Sequence, residues 1–300
     1  MKKLLAAISL LCLLNAFAFA QKPKLKQPAK PKQTAAKPAP TPPAQATPTP
    51  AVAPQPVATP LPTPPAPAKP QASVFGPNET KNLPTAEVIL AKYFKADGTE
   101  AVKDKLKTRV MTGNFEIMGS GISGTMAVYQ KAPNLFFSDT ELPQLGNFKQ
   151  GFDGEFGWAK DNISGLRNLN GAELSAVRIG AQFNPQDTRK FFGEVKVKGI
   201  EKVGERDAYV LVFTVVGGTP LTNFFDTETG LLLRTDAELE GPQGTKLPTQ
   251  TFYSDYKLID GVQVSHFTRV VNPSFTVEMK YYQVKHNIEV DDKKFQKPAN

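Results

Sequence analysis

The chain has 300 residues, of which 40% are hydrophobic and 21% charged, and a formal net charge of +8. That charge is unevenly spread: residues 1–75 hold nine lysines and no acid, so 76–300 carries 27 basic against 28 acidic residues. A nucleic-acid binder places positive charge on its folded surface, so nucleic acid is excluded as a partner, and a single cysteine, Cys12, excludes a disulfide framework.

The amino terminus reads as an export signal. Lys2 and Lys3 precede an apolar run from Leu4 to Phe19, and Ala18-Phe19-Ala20 offers the small-x-small pattern of a cleavage site before Gln21. Residues 1–20 are therefore expected to be a signal peptide, and the two-lysine style points to the bacterial periplasm. Leu10 and Leu11 precede Cys12 where lipidation needs small residues, so no lipid anchor is expected. If Ala20 is not cut, the 17 residues from Leu4 sit at the short edge of what spans a bilayer, and the segment becomes an inner-membrane anchor.

Seventeen of the 27 prolines lie between Pro23 and Pro70, among Ala, Thr, Gln and seven lysines. Such a segment buries too little apolar surface to offset ordering entropy, so 21–81 is expected to be a disordered linker. Its prolines favour an extended path, and at ~3.1 Å per residue 21–75 would reach on the order of 170 Å. A spacer is one use; a tether or a basic envelope-binding tail is another.

The folded domain is expected over 82–300. It opens with a helix in "TAEVILAKYFKADG", with Thr85 as N-cap and Asp97-Gly98 as the stop. Period-two segments follow at 109–118, 122–130, 135–140, 147–152, 156–160, 194–202, 208–216, 221–225, 231–239, 249–258, 262–271 and 275–286. Gly-rich and Asp-Gly connections such as "MGSGIS", "FDGEF" and "IDGVQ" are hairpin chemistry. About twelve strands on short loops imply a mainly β fold: one large antiparallel sheet that rolls into a barrel or leaves a concave face. Between the fifth and sixth segments, Leu174, Val177 and Ala181 recur at helical spacing, and Asn184-Pro185 is expected to start a short helix through Phe192. Such helices can cover the open side of a curved sheet.

Catalytic and metal chemistry finds no positive support. The two histidines, His266 and His286, have no acidic cluster at ligand spacing, and metal sites need three or four converging donors. "GSGISG" lacks the strand–loop–helix context and trailing Lys-Ser/Thr of a phosphate loop. No enzyme activity, metal or cofactor is expected. Phenylalanine, by contrast, appears 20 times against seven Tyr and one Trp, often in pairs: Phe136-Phe137, Phe191-Phe192 and Phe224-Phe225. Adjacent strand residues face opposite sides. Such strands are covered on both faces, or expose one face to an apolar ligand.

Several motifs carry a family resemblance. "VYQKAPNLFFSDTELP" (Val128–Pro143) resembles the strand–turn–strand of the periplasmic lipoprotein carrier LolA and its relatives. "QGFDGEFGWAKD" (Gln150–Asp161) is similar to that family's Asp-Gly hairpin ending in Trp. "FFDTETGLLLR" (Phe224–Arg234), "YSDYKLIDGVQVSHF" (Tyr253–Phe267) and "NIEVDDKKFQKP" (Asn287–Pro298) resemble segments of the broader lipoprotein-sorting and sensor group, in the same order. The resemblance implies an incomplete antiparallel β-barrel with helices as a lid. It also implies a non-enzymatic role in outer-membrane biogenesis, with lipid or lipoprotein acyl chains held in an apolar hollow and envelope or outer-membrane proteins as partners. A membrane-tethered sensor or scaffold of the same fold, without transported cargo, is the alternative. Where the carriers have an arginine before the turn proline, this chain has Ala132. The residues expected to line the hollow are Phe115, Ile117, Met126, Val128, Leu135, Phe137, Trp158 and Phe213.

Overall fold

The computed structural model describes residues 82–162, 164–240 and 246–299. The expected signal segment and linker lie outside these residues.

Helix α1 (Ala86–Asp97) starts where expected: the Thr85 hydroxyl accepts the Val88 N–H at 3.5 Å, and Gly98, at φ 144°, ends the helix. A short helix α2 (Glu100–Lys103), which the sequence reading did not separate, follows. Thirteen strands come next: β1 (Thr108–Ile117), β2 (Ile122–Lys131), β3 (Leu135–Leu142), β4 (Gly146–Phe152), β5 (Gly157–Asp161), β6 (Gly165–Asn168), β7 (Phe192–Val203), β8 (Arg206–Val215), β9 (Leu221–Asp226), β10 (Leu232–Glu240), β11 (Lys246–Ile259), β12 (Val262–Asn272) and β13 (Phe275–His286). Helix α3 (Gly171–Gly180) separates β6 from β7.

All thirteen strands of the described residues belong to one sheet, and each neighbouring pair is antiparallel. Two meanders, β1–β6 and β7–β13, are joined where β1 pairs with β13, and β6 and β7 remain as open edges. The sheet is therefore curved but not a closed barrel. Both edges are protected by charge, which discourages further strand pairing. Strand β7 alternates Glu194, Lys196 and Lys198 on its exposed side, while Arg167 of β6 forms a paired contact with Glu173 of α3 at 2.7 and 2.8 Å.

Two elements differ from the pattern the sequence implies. The four-residue β6 was not anticipated, because "GLRN" has no apolar alternation. The expected helix from Asn184 to Phe192 is instead a set of turns and one 3-10 turn at Thr188–Phe191. The Asn184 side chain accepts the Gln186 N–H and the Thr188 hydroxyl donates to the Pro185 carbonyl, so local side-chain bonds replace a helical ladder.

The sheet buries apolar side chains on both faces. The main core lies on the side covered by helices. Ile89, Leu90 and Tyr93 of α1 and Val177 and Ile179 of α3 pack there against inward-facing strand residues. Helix α1 packs on β12 and β7, and α3 packs on β5 and β10, so α3 joins the two meanders. On the outer face two smaller clusters form. One gathers Val110, Phe137 and Trp158 under Val290 and Phe295 of the carboxy-terminal segment. The other gathers Ala208, Val210 and Phe224, with the Arg234 guanidinium 3.6 Å from the Phe224 ring centroid. Paired phenylalanines thus serve both faces: Phe225 packs inward on Tyr93, ring centroids 5.1 Å apart, while Phe224 packs outward under Arg234.

Candidate ligand-binding site

The eight residues expected in the hollow divide between the two faces. Phe115 and Ile117 of β1, Met126 and Val128 of β2, and Phe213 of β8 lie together in the lid-covered core. Leu135, Phe137 and Trp158 do not join them; they pack in the outer cluster. Strand β3 is apolar on both sides, so its pattern does not reveal which side is inward. The structure places Phe136 and Leu142 inside and Phe137 outside. In β5, Ala159 faces the core, and a Cβ on Gly157 would lie 3.1 Å from Leu169, Leu174 and Val177. Trp158 consequently faces out, where its indole N–H donates to the Phe295 carbonyl at 2.9 Å. That acceptor lies 137 residues away, so no local signal identifies it.

Further inward residues escaped the sequence reading, among them Phe148, Phe152, Phe192, Leu211, Val277 and Met279. Their signal is the shared parity of each strand once one inward residue is known. The core is tightly filled. Phe115, Phe213, Val277 and Met279 have no exposed surface, and Phe192 meets Phe213 edge-on at 5.5 Å.

Beneath α1 is a chamber of about 90 Å³, lined by Tyr93, Asp97, Arg109, Met111, Leu232, Tyr253, Tyr256 and their neighbours. Arg109 donates from Nε to His286 Nε2 at 3.0 Å and lies 5.4 Å from the Phe183 ring centroid. Burial lowers the Arg109 pKa and raises those of Tyr93, Tyr253 and Tyr256. Burial and the Arg109 charge likewise hold His286 below its ordinary value, against the opposing Asp260 carboxylate at 2.9 Å. Asp97 is taken by Lys103 at 2.9 Å, a pair that holds the end of α1 to α2. The chamber is smaller than the ~300–1,000 Å³ of ordinary small-molecule sites. A long ligand can enter the lid-covered side only if the helices move off the sheet.

A second, open groove of about 560 Å³ lies across β10–β12 and includes Asp236, Glu238, Pro248, Gln250 and Val271. Two carboxylates on its wall suit an acyl chain poorly. Among the described residues, no group of three or more His, Cys, Asp or Glu side chains converges as a metal site requires, and no helix is long and apolar enough to cross a membrane.

No family model matches the chain, and no curated protein matches its sequence. Solved structures do match its fold. A DUF1329 family protein from Desulfovibrio piger superposes with a TM-score of 0.50 at 16% identity, over 70% of this chain and 96% of that one. A LolA superfamily protein from Nitrosomonas europaea gives a TM-score of 0.50 at 13% identity, over 72% of this chain and 99% of that one. At such identities the likeness concerns the fold, and the fold of this chain is LolA-like.

Proposed function

We propose that this chain is an exported, periplasmic, non-enzymatic lipid-binding protein that carries lipid or lipoprotein acyl chains between the sheet and its helical lid. The observation that carries this reading is the inner face itself: an open sheet with an extended apolar surface, roofed by two helices rather than by a second sheet. Phe115, Ile117, Met126, Val128 and Phe213 are the proposed lining from the initial set, with Phe136 in place of Leu135, Phe137 and Trp158. Export rests on Lys2, Lys3, the apolar run and Ala18-x-Ala20. Envelope or outer-membrane proteins are the proposed partners for delivery.

The driving force is apolar burial at about 0.8 kcal/mol per methylene. A sixteen-carbon chain thus supplies on the order of 12 kcal/mol before ordering and lid-opening costs are subtracted. Opening the roof exposes its buried apolar residues and breaks polar ties, among them the paired Arg167–Glu173 contact between β6 and α3. Lys92 Nζ donates to the Thr227 carbonyl at 2.6 Å, and Ser175 Oγ donates to the Gly217 carbonyl at 3.5 Å. Delipidated protein is expected to take up a fluorescent long-chain fatty acid with saturable, near-equimolar binding. Failure to do so at micromolar concentration overturns the proposal.

A further inference from the structure

The inner face is not uniformly greasy. Ser138 of β3 shares its side with Phe136 and Leu142, and Gln150 of β4 shares its side with Phe148 and Phe152. Ser138 and Gln150 are directly opposite each other in the β3–β4 register, at 0% and 1% exposure. Yet the Ser138 hydroxyl and both amide atoms of Gln150 have no hydrogen-bond partner within the protein. A second polar row crosses the other meander. Asn223, between the inward Leu221 and Phe225, opposes Thr235 of β10, and Thr235 opposes Thr251 of β11. Thr235 donates to Asn223 Oδ1 at 2.8 Å, which leaves Asn223 Nδ2 and Thr251 Oγ1 without partners, on residues with no exposed surface.

Buried polar atoms are nearly always paired, because each one left bare loses its hydration without a replacement. Here several bare atoms sit in two rows on the face that the lid covers, and the rows hold amide donors and hydroxyls. Such groups match carbonyl oxygens, which accept and do not donate. Within the lipid-binding reading, on which this inference rests, we propose that the two rows recognise the ester or amide carbonyls of acyl chains. The ligand is then an acyl-linked lipid rather than any apolar chain of suitable length. The Gln150 and Asn223 amides donate to these carbonyls, and the Ser138 and Thr251 hydroxyls assist.

The test compares two phosphatidylcholine probes with the same head group and chain length: a diester, and a diether that lacks both carbonyls. Each displaces a fluorescent fatty acid from the delipidated full-length protein. The expected result is a preference for the diester of about tenfold or more, the size of one to two good hydrogen bonds. Gln150→Leu and Asn223→Leu should each shrink that preference while leaving diether affinity within about twofold. The shape-matched Thr251→Val serves if either leucine variant fails to fold. Ligand-free Gln150→Leu and Thr251→Val should also melt no lower than the wild type, because each removes only bare polar atoms; Asn223→Leu is left out of this readout, because it also removes the acceptor of the Thr235 hydroxyl. Equal affinity of the wild-type protein for diester and diether overturns this inference and leaves lipid binding standing. A lower melting temperature of ligand-free Gln150→Leu or Thr251→Val also overturns it, by showing that these groups are paired inside the protein. Binding of neither probe, nor of the fatty acid, overturns the lipid-binding reading itself.

Discussion

Replacing Phe295 with alanine separates the two faces of the sheet energetically. Phe295 is 1% exposed and, with Val290, covers Val110, Phe137 and Trp158 on the outer face. Removing a fully buried phenylalanine ring costs about 3–5 kcal/mol through lost burial and the cavity left behind. The upper half of that range applies here, because the neighbouring Trp158 is itself 1% exposed and is held by the Phe295 carbonyl, so the site cannot readily collapse. For a domain of this size each kcal/mol shifts the melting temperature by about 2–4 °C, so a fall of roughly 8–20 °C is expected. Urea unfolding followed through the single tryptophan reads both the stability loss and the environment of the indole. At temperatures where the variant stays folded, fatty-acid uptake should be unchanged, because the lid-covered face is untouched. A loss below about 1 kcal/mol would refute the view that the carboxy-terminal segment closes the outer face. Loss of uptake by folded variant would refute the separation of the faces.

Other perturbations test neighbouring parts of the account. A Cβ on Gly151 would collide with the Trp158 indole, so Gly151→Ala should destabilise by about 1–3 kcal/mol in urea and change the tryptophan emission; unchanged stability and emission would contradict that packing. The folded-state pKa of His286 lies below its ordinary 6.5, so the unfolded chain takes up this proton first on acidification. Stability is then lost as pH falls through about 6.5, and His286→Gln should flatten the pH 7-to-5 change in urea midpoint; identical slopes would refute this contribution. Amino-terminal sequencing of the exported protein should start at Gln21, whereas a start at Met1 would favour a membrane-tethered protein.

Much of the fold was legible because its signals are local. Alternating apolar residues and Gly-rich turns marked twelve of the strands, and Thr85 and Gly98 marked the ends of α1. The four-residue β6 was not legible, because it gains its place from pairing with β5 and from the Arg167–Glu173 contact. The orientation of β3 and β5 was equally hidden. Phe136 and Phe137 are adjacent and equally apolar, so only distant partners decide between them: the helical lid for one, the carboxy-terminal segment for the other. The polar rows were invisible for a related reason. Ser138, Gln150, Asn223 and Thr251 read as ordinary strand residues until the strand register sets Ser138 against Gln150, and Asn223 and Thr251 either side of Thr235, on the covered face.

The central claim is tested most directly by native mass spectrometry of the protein purified from the periplasm without detergent. Lipid binding predicts a bound species at about one acyl lipid per chain, released as ester- or amide-linked lipid on denaturation. Protein that is consistently free of lipid, and that takes up none after delipidation, would contradict it.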